Sequence, residues 1–194
     1  MTTASDRVRT YLERILGPVV SVTTGRDLVG SQTAPCSIAT FADQPVEGAF
    51  TLVTLGLSDS PLIGPEGELV RQELLLCGWN ADLDDRLYGL LFSVATGIRD
   101  EGETANPGAV LELDGPLSEL GDLRHVFLYP PTYHRDEVAT IPAPGDGDSH
   151  GEIEVLWLLP VNAAEVDLIE ERGPEAFETH LLEADPDLLD LRRD

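Results

Sequence analysis

One helix-length segment lies in the middle of this chain, and the strand-like segments on either side of it outnumber the helices that could join them. That segment covers residues 83–99, where Leu83, Leu87, Leu90, Leu91, Val94 and Ile98 keep helical spacing. Asn80-Ala81-Asp82 reads as its cap, and Asp84 and Asp85 fall in its first turn, where the helix dipole favours negative charge. Runs rich in β-branched and apolar residues at 19–24, 36–41, 49–55, 70–77, 109–113, 123–129 and 153–159 read as strands. Parallel neighbours need long crossover connections, usually helical. With a single central helix, these strands cannot all be joined that way. The class expected is α+β: a mixed, mostly antiparallel central sheet flanked by helices, in one layered domain over residues 1–194.

The two ends supply the remaining helices. Val8, Tyr11, Leu12, Ile15 and Leu16 share one face, with Ser5 as the expected cap and Gly17-Pro18 as the stop. Asn162 opens a helix with Glu165 at capping-box distance. Gly173-Pro174 breaks it and starts a short helix carrying Phe177, Leu181 and Leu182. Asp43-Gln44-Pro45 and Glu47-Gly48 suit a hairpin between the second and third strands, and residues 141–149 read as a flexible loop.

Charge narrows the function more than it narrows the fold. The chain has 36 acidic and 12 basic residues, a net charge of −24, and every basic residue is an arginine. Such a field repels phosphate backbones and anionic lipid, and it draws in a basic partner. The acidity is uneven. Residues 1–50 carry five acids and four arginines, residues 51–150 carry 18 and five, and residues 151–194 carry 13 and three. A GC-rich or salt-adapted proteome also produces an acidic chain without lysine. No apolar run approaches the roughly 18–20 residues that span a bilayer, and no signal-peptide pattern opens the chain. Cys36 and Cys77 are too few for a disulfide scaffold, so buried thiols in a cytoplasmic protein are expected.

Catalytic patterns fail on inspection. Gly56-Leu57-Ser58-Asp59-Ser60 imitates a nucleophile elbow, but Pro61 and Pro65 follow where that motif turns into a helix. A turn in which Ser58 and Asp59 bond to backbone is the better reading. Asp146-Gly147-Asp148-Ser149-His150-Gly151 imitates the first half of a calcium loop, with positions 1, 3 and 5 and the turn glycine at 6, yet its twelfth position is Trp157 rather than a bidentate Glu. His125, His134, His150 and His180 make no metal-type spacing, and no phosphate-binding glycine motif occurs. No catalytic residue, metal or cofactor is expected.

One ordered set of segments carries a resemblance. Residues 50–62, FTLVTLGLSDSPL, are similar to the strand and T-x-G-hydrophobic-S turn of the Suppressor of fused family. Arg71-Gln72-Glu73-Leu74-Leu75-Leu76-Cys77 resembles the next strand, with its R-x-E-L pattern. An amphipathic helix, Tyr129-Pro130-Pro131, a strand running into Pro160, a helix with Glu165 and a break at Gly173 follow in the same order. The likeness covers residues 45–194, leaving 1–44 as an N-terminal helix and first strands. Family members often carry a G-H-T-like stretch after the central helix. Here Glu101-Gly102-Glu103-Thr104-Ala105 stands there without the histidine, so no role of that histidine is carried over.

The resemblance implies a sheet flanked by helices and a protein-binding role without catalysis. Animal members bind a transcription factor, and short bacterial members are associated with polymorphic toxin systems as immunity proteins. The function expected is therefore neutralisation of a basic toxin domain through an acidic surface. The alternatives are a small hydrolase using Ser58 with a histidine, or an acidic scaffold of a salt-adapted cell. If acidity serves binding, the carboxylates gather on one side. The candidates are Asp59, Glu66 and Glu68 after the third strand, Asp100, Glu101 and Glu103 after the central helix, and Asp146 and Asp148 in the long loop.

Overall fold

The computed structural model describes residues 4–25, 36–118, 121, 123–142 and 152–193. Its nine described strands are β1 (Val19–Thr24), β2 (Ser37–Ala42), β3 (Ala49–Leu55), β4 (Leu62–Ile63), β5 (Leu69–Trp79), β6 (Val110–Glu112), β7 (His125–Tyr129), β8 (Thr140–Pro142) and β9 (Glu152–Val161). Five α-helices accompany them among the described residues: α1 (Ala4–Leu16), α2 (Asp85–Glu101), α3 (Asp136–Ala139), α4 (Ala163–Arg172) and α5 (Pro174–Ala184). The main sheet runs β1-β2-β3-β5-β9-β7-β6, with β4 beside β5 and β8 beside β9. Only β5 and β9 pair in parallel among the described strands. The fold is thus the mixed, mostly antiparallel α+β arrangement that the spacing of helices and strands requires.

Alternation on the central strands builds two core layers. Leu75 and Cys77 of β5 point to one layer, and Leu74 and Leu76 to the other. On β9, Val155, Trp157 and Leu159 join the first layer while Leu156 and Leu158 join the second. Val8, Leu12 and Leu16 of α1 cover the first layer with Val166 and Ile169 of α4 and Phe177 of α5. Leu87, Leu91, Ala95 and Ile98 of α2 cover the second. Each such side chain contributes about 1.5–3 kcal/mol by leaving water. Both cysteines are buried free thiols; burial pushes Cys36 up to about 12 and raises Cys77 further.

Three local expectations need correction. Ser5 lies inside α1, and its hydroxyl donates to Asp59 Oδ2 at 3.1 Å. Asn80-Ala81-Asp82 forms a separate 3-10 turn, and α2 is capped by Asp84, whose carboxylate accepts the Arg86 amide at 2.9 Å. The chain offered several capping residues in a row, and the one followed by uninterrupted helix is the one used. The helix also runs on to Glu101, ending at Gly102 in the left-handed region, φ 72°. The capping box at Asn162 and Glu165 forms as expected, with bonds of 2.9 and 2.8 Å.

The segment after α5 passes around one end of the sheet. Leu188 and Leu189 enter the first layer and Leu191 enters the second. Trp79 donates from its amide to Leu189 O and from Nε1 to Asp187 Oδ2. Arg192 meets Asp82 at 2.5 Å, and Arg193 meets Glu165 at 2.6 Å while donating to Pro160 O. A Cβ on Gly121 would lie 2.8 Å from Arg192 Cα, so only glycine permits this approach. Elsewhere, Thr51 Oγ1 donates to Gln44 O at 2.9 Å, which leaves it to accept from His134 Nε2 at 2.9 Å. Burial pushes His134 down to about 4.

Two outcomes follow for stability. Arg193→Ala strands the buried Glu165 carboxylate and is expected to cost about 3 kcal/mol, whereas Arg192→Ala also leaves a buried carboxylate, Asp82, but vacates a position 40% exposed that water can fill, and is expected to cost about 1–2 kcal/mol; urea unfolding of both variants measures the contrast. His134 stays neutral in the fold but takes a proton in the unfolded chain near pH 6.5, so its contribution is full above that pH. It is lost as pH falls towards 4, at up to about 1.4 kcal/mol per pH unit. His134→Asn should remove that slope from the difference between the two stability–pH curves.

Candidate functional site

The candidate site is a corner of the molecule held by three consecutive side chains of β5. Glu73 is fully buried, facing the turn after β3. Its Oε1 accepts from the Gly56 amide at 2.9 Å, the Ser58 amide at 3.2 Å and the Ser58 hydroxyl at 2.6 Å, and its Oε2 accepts from Thr54 Oγ1 at 2.6 Å. Burial raises the Glu73 carboxyl above the usual range, and the bonds from Ser58, Thr54 and Gly56 pull against that rise. Gly56 sits at φ 109°, and a Cβ there would stand 3.0 Å from Ser5 Oγ, so the turn requires glycine both for its backbone angle and for space. Arg71, two residues back on β5, donates to Ser58 O.

Gln72 points the opposite way and holds the other wall. Its Nε2 donates to Ala105 O at 2.9 Å and to Glu154 Oε2 at 2.7 Å, and its Oε1 accepts the Ala105 amide at 2.9 Å. Between the two walls lies the β4–β5 hairpin. Ile63 of β4 pairs with Leu69 of β5 on one side and bridges to Glu103 on the other. Ile63 donates to Gly102 O at 2.9 Å and accepts from the Thr104 amide at 3.1 Å. The segment after α2 is therefore stitched to the hairpin.

This arrangement puts Glu103 beside the hairpin that carries Glu66 and Glu68. Asp59, Glu66, Glu68, Asp100, Glu101 and Glu103 are all exposed, on the turn, the hairpin tip and the segment ending α2. Two of them have local tasks: Asp59 accepts from Ser5, and Glu68 Oε2 accepts the Glu66 amide at 2.9 Å and so fixes the hairpin tip. Asp146 and Asp148, with the calcium-like loop and His150, lie outside the described residues. The nearby cations are engaged, Arg71 with Ser58 O and Arg99 with Ser60 Oγ at 3.0 Å.

Ile63 and Leu69, 55% and 73% exposed, form an apolar pair amid these carboxylates. The strand pattern had given no sign that they were surface residues. Ser58 is 2% exposed with its hydroxyl given to a carboxylate, which closes it to attack on a substrate. The turn reading holds, but the Ser58 side chain bonds to Glu73 rather than to backbone.

Glu73→Ala leaves two buried amides and two hydroxyls short of an acceptor and is expected to cost about 3–5 kcal/mol. Glu73→Gln keeps one acceptor oxygen and the volume and should cost less than half as much; chemical denaturation of the two variants decides. A Gln variant as stable as the unaltered protein would mean that packing, not acceptor supply, holds the turn, and equal losses would mean that the turn needs the full carboxylate with both acceptor oxygens.

Comparisons with known proteins agree with this geometry. The family model described as Suppressor of fused protein (SUFU) matches residues 32–194, beginning 13 residues before the stretch that the motifs marked. A Bacillus subtilis (strain 168) protein called Immunity protein YqcF is 23% identical over 166 residues, covering 84% of this chain and 83% of its own. A crystal structure of a SUFU homologue from Neisseria gonorrhoeae FA 1090 superposes with a TM-score of 0.76 at 17% identity, over 98% of this chain and 95% of that one. Drosophila Suppressor of Fused matches with a TM-score of 0.68 at 15% identity, over 98% of this chain and 49% of its own. A chain in a Sufu–Fu complex matches with a TM-score of 0.67 at 14% identity, over 100% of this chain and 98% of that one. With its motifs placed in the fold and most of its length matched, this chain belongs to the Suppressor of fused protein family.

Proposed function

We propose that this chain is a non-enzymatic protein-binding domain that neutralises a toxin domain of basic character through the acidic corner. The observation that carries the reading is the exposed Ile63–Leu69 pair on a hairpin that carries Glu66 and Glu68 and is bridged at Ile63 to Glu103. An apolar centre with a charged rim is the usual anatomy of a protein interface. The rim steers a basic partner, and the centre supplies burial once water is excluded. Because Arg71, Gln72 and Glu73 hold both walls of the corner, it needs little ordering on binding, which favours affinity. A toxin acting on nucleic acid would present a basic face, and carboxylates would stand where substrate phosphates go. The relative named as an immunity protein, matched along most of both chains, supports the neutralising role. Among the described residues no helix is long and apolar enough to cross a membrane, which fits a partner met outside the bilayer.

The test needs a purified toxin domain as partner, sought among the genes next to this chain's own. Changing Glu66, Asp100, Glu101 and Glu103 together to Arg should slow association in stopped flow by more than tenfold at low salt, with a smaller change in dissociation. Association of the unaltered protein should weaken as salt rises and the Debye length falls from about 10 Å at 0.1 M to about 3 Å at 1 M. Rates flat with salt and indifferent to the reversals would leave the acidity as surface solvation.

A further inference from the structure

Helix α1 begins at the acidic corner, where Ser5 bonds to Asp59, and carries an oppositely charged face away from it. Arg7, Thr10, Tyr11 and Arg14 line a shallow hollow of about 500 Å³. Arg7 and Arg14 are exposed and two turns apart, about 10 Å along the helix axis. With three carboxylates for every arginine in the chain, a cation here has a surplus of internal partners. Arg9, on the same helix, takes one: it pairs with Glu13 at 3.3 Å. Arg7 makes no hydrogen bond or ion pair among the described residues, and Arg14 lies over the Tyr11 ring, 4.8 Å from its centre, with no carboxylate partner among them. The Tyr11 hydroxyl donates to Glu137 O at 3.3 Å, so the ring that supports Arg14 is tied to α3. Glu13 is also occupied, accepting from Arg9 and from the Val19 amide.

We propose that the outward face of α1 is the anion-recognising half of the docking surface, and that it takes an acidic segment of the protein partner whose basic part meets the corner. This rests on the protein-binding reading and adds to it that the partner is bipolar. Two arginines whose backbone positions are about 10 Å apart along the helix match two carboxylates three residues apart on a polyproline II-type segment, which rises about 3.1 Å per residue and returns to the same face every third residue. Each guanidinium can hold a carboxylate through paired N–H donors. A long polyanion is the wrong occupant, because it would lie against the field of a molecule carrying −24. The face also gives orientation. A surface that is basic throughout is attracted at the corner and repelled at Arg7 and Arg14, so only a partner with the right order of charges docks without a like-charge clash.

Two labelled peptides, acetyl-hexaglutamate and acetyl-hexalysine, separate this inference from the reading beneath it. Each is titrated by fluorescence anisotropy at low salt against the unaltered protein, against the double variant Arg7→Ala/Arg14→Ala, and against the triple variant Glu66→Arg/Glu101→Arg/Glu103→Arg. All five substitutions are at exposed positions, and circular dichroism checks that the variants fold. Hexaglutamate is expected to bind the unaltered protein and to lose at least tenfold in affinity in the double variant. Hexalysine is expected to lose at least tenfold in the triple variant and nothing in the double one. Hexaglutamate that fails to bind, or binds the double variant equally well, overturns the α1 proposal. Hexalysine indifferent to the triple variant overturns the acidic-corner reading instead.

Discussion

The corner depends on a single carboxylate with no access to water. Glu73 lies between two strands of the main sheet and accepts four hydrogen bonds from the turn that ends β3. A charge-capable group in that position is unfavourable by itself, and burial is the first cause that moves its acidity. Its retention is explained by what it organises. Without an acceptor there, the Gly56 and Ser58 amides would point into the core unsatisfied. The turn would then have to open towards solvent, taking β4 and the hairpin with it. The structural logic is that of a buried polar network: costly when partly satisfied, and specifying when complete.

The same stretch of β5 shows how a strand can serve two faces at once. Because side chains alternate, Arg71 and Glu73 reach the turn on one side while Gln72 reaches Ala105 on the other. Neighbouring residues thereby fix two loops that have no direct bond to each other through these groups. The hairpin between them shows apolar side chains to solvent on a frame held by backbone bonds to β5 on one side and to residues 102 and 104 on the other. Recognition surfaces on loops are usually mobile. Here the positions of the exposed groups are set by buried ones.

Much of the architecture was legible because it depends on local rules. The spacing of Val8, Leu12 and Leu16, the capping box at Asn162, and the β-branched run at 19–24 each declare an element within a few residues. The two motifs that carried the family resemblance proved to be the two sides of the Glu73 network, with Thr54, Gly56 and Ser58 on one and Arg71 and Glu73 on the other. Their meeting could not be read from the sequence. Glu73 looked like a polar residue near a strand start, and its partners lie 15–19 positions away. The approach of Glu103 to the hairpin was equally hidden, since it depends on Ile63 pairing with the segment at 102–104, a contact between parts that no periodicity links. Exposed Leu69 and Ile63 obey the strand pattern without obeying burial, because a short hairpin outside the layers has no core to face.

The parallel pairing of β5 with β9 reaches beyond the finished fold. These strands form the middle of the sheet, yet more than 70 residues separate the end of one from the start of the other. While the chain is being made, β1, β2, β3 and β5 can assemble as local antiparallel neighbours, and β5 then presents an unfilled edge rich in leucine until β9 is synthesised. Such an edge is a template for pairing with another nascent chain. Mutual repulsion between the chains builds up during this interval, as the acid-rich residues 80–150 are added, and works to keep half-made sheets apart. The acidity proposed to serve recognition in the finished protein would then also protect its assembly, and a neutralised surface would show its defect first in the yield of folded protein.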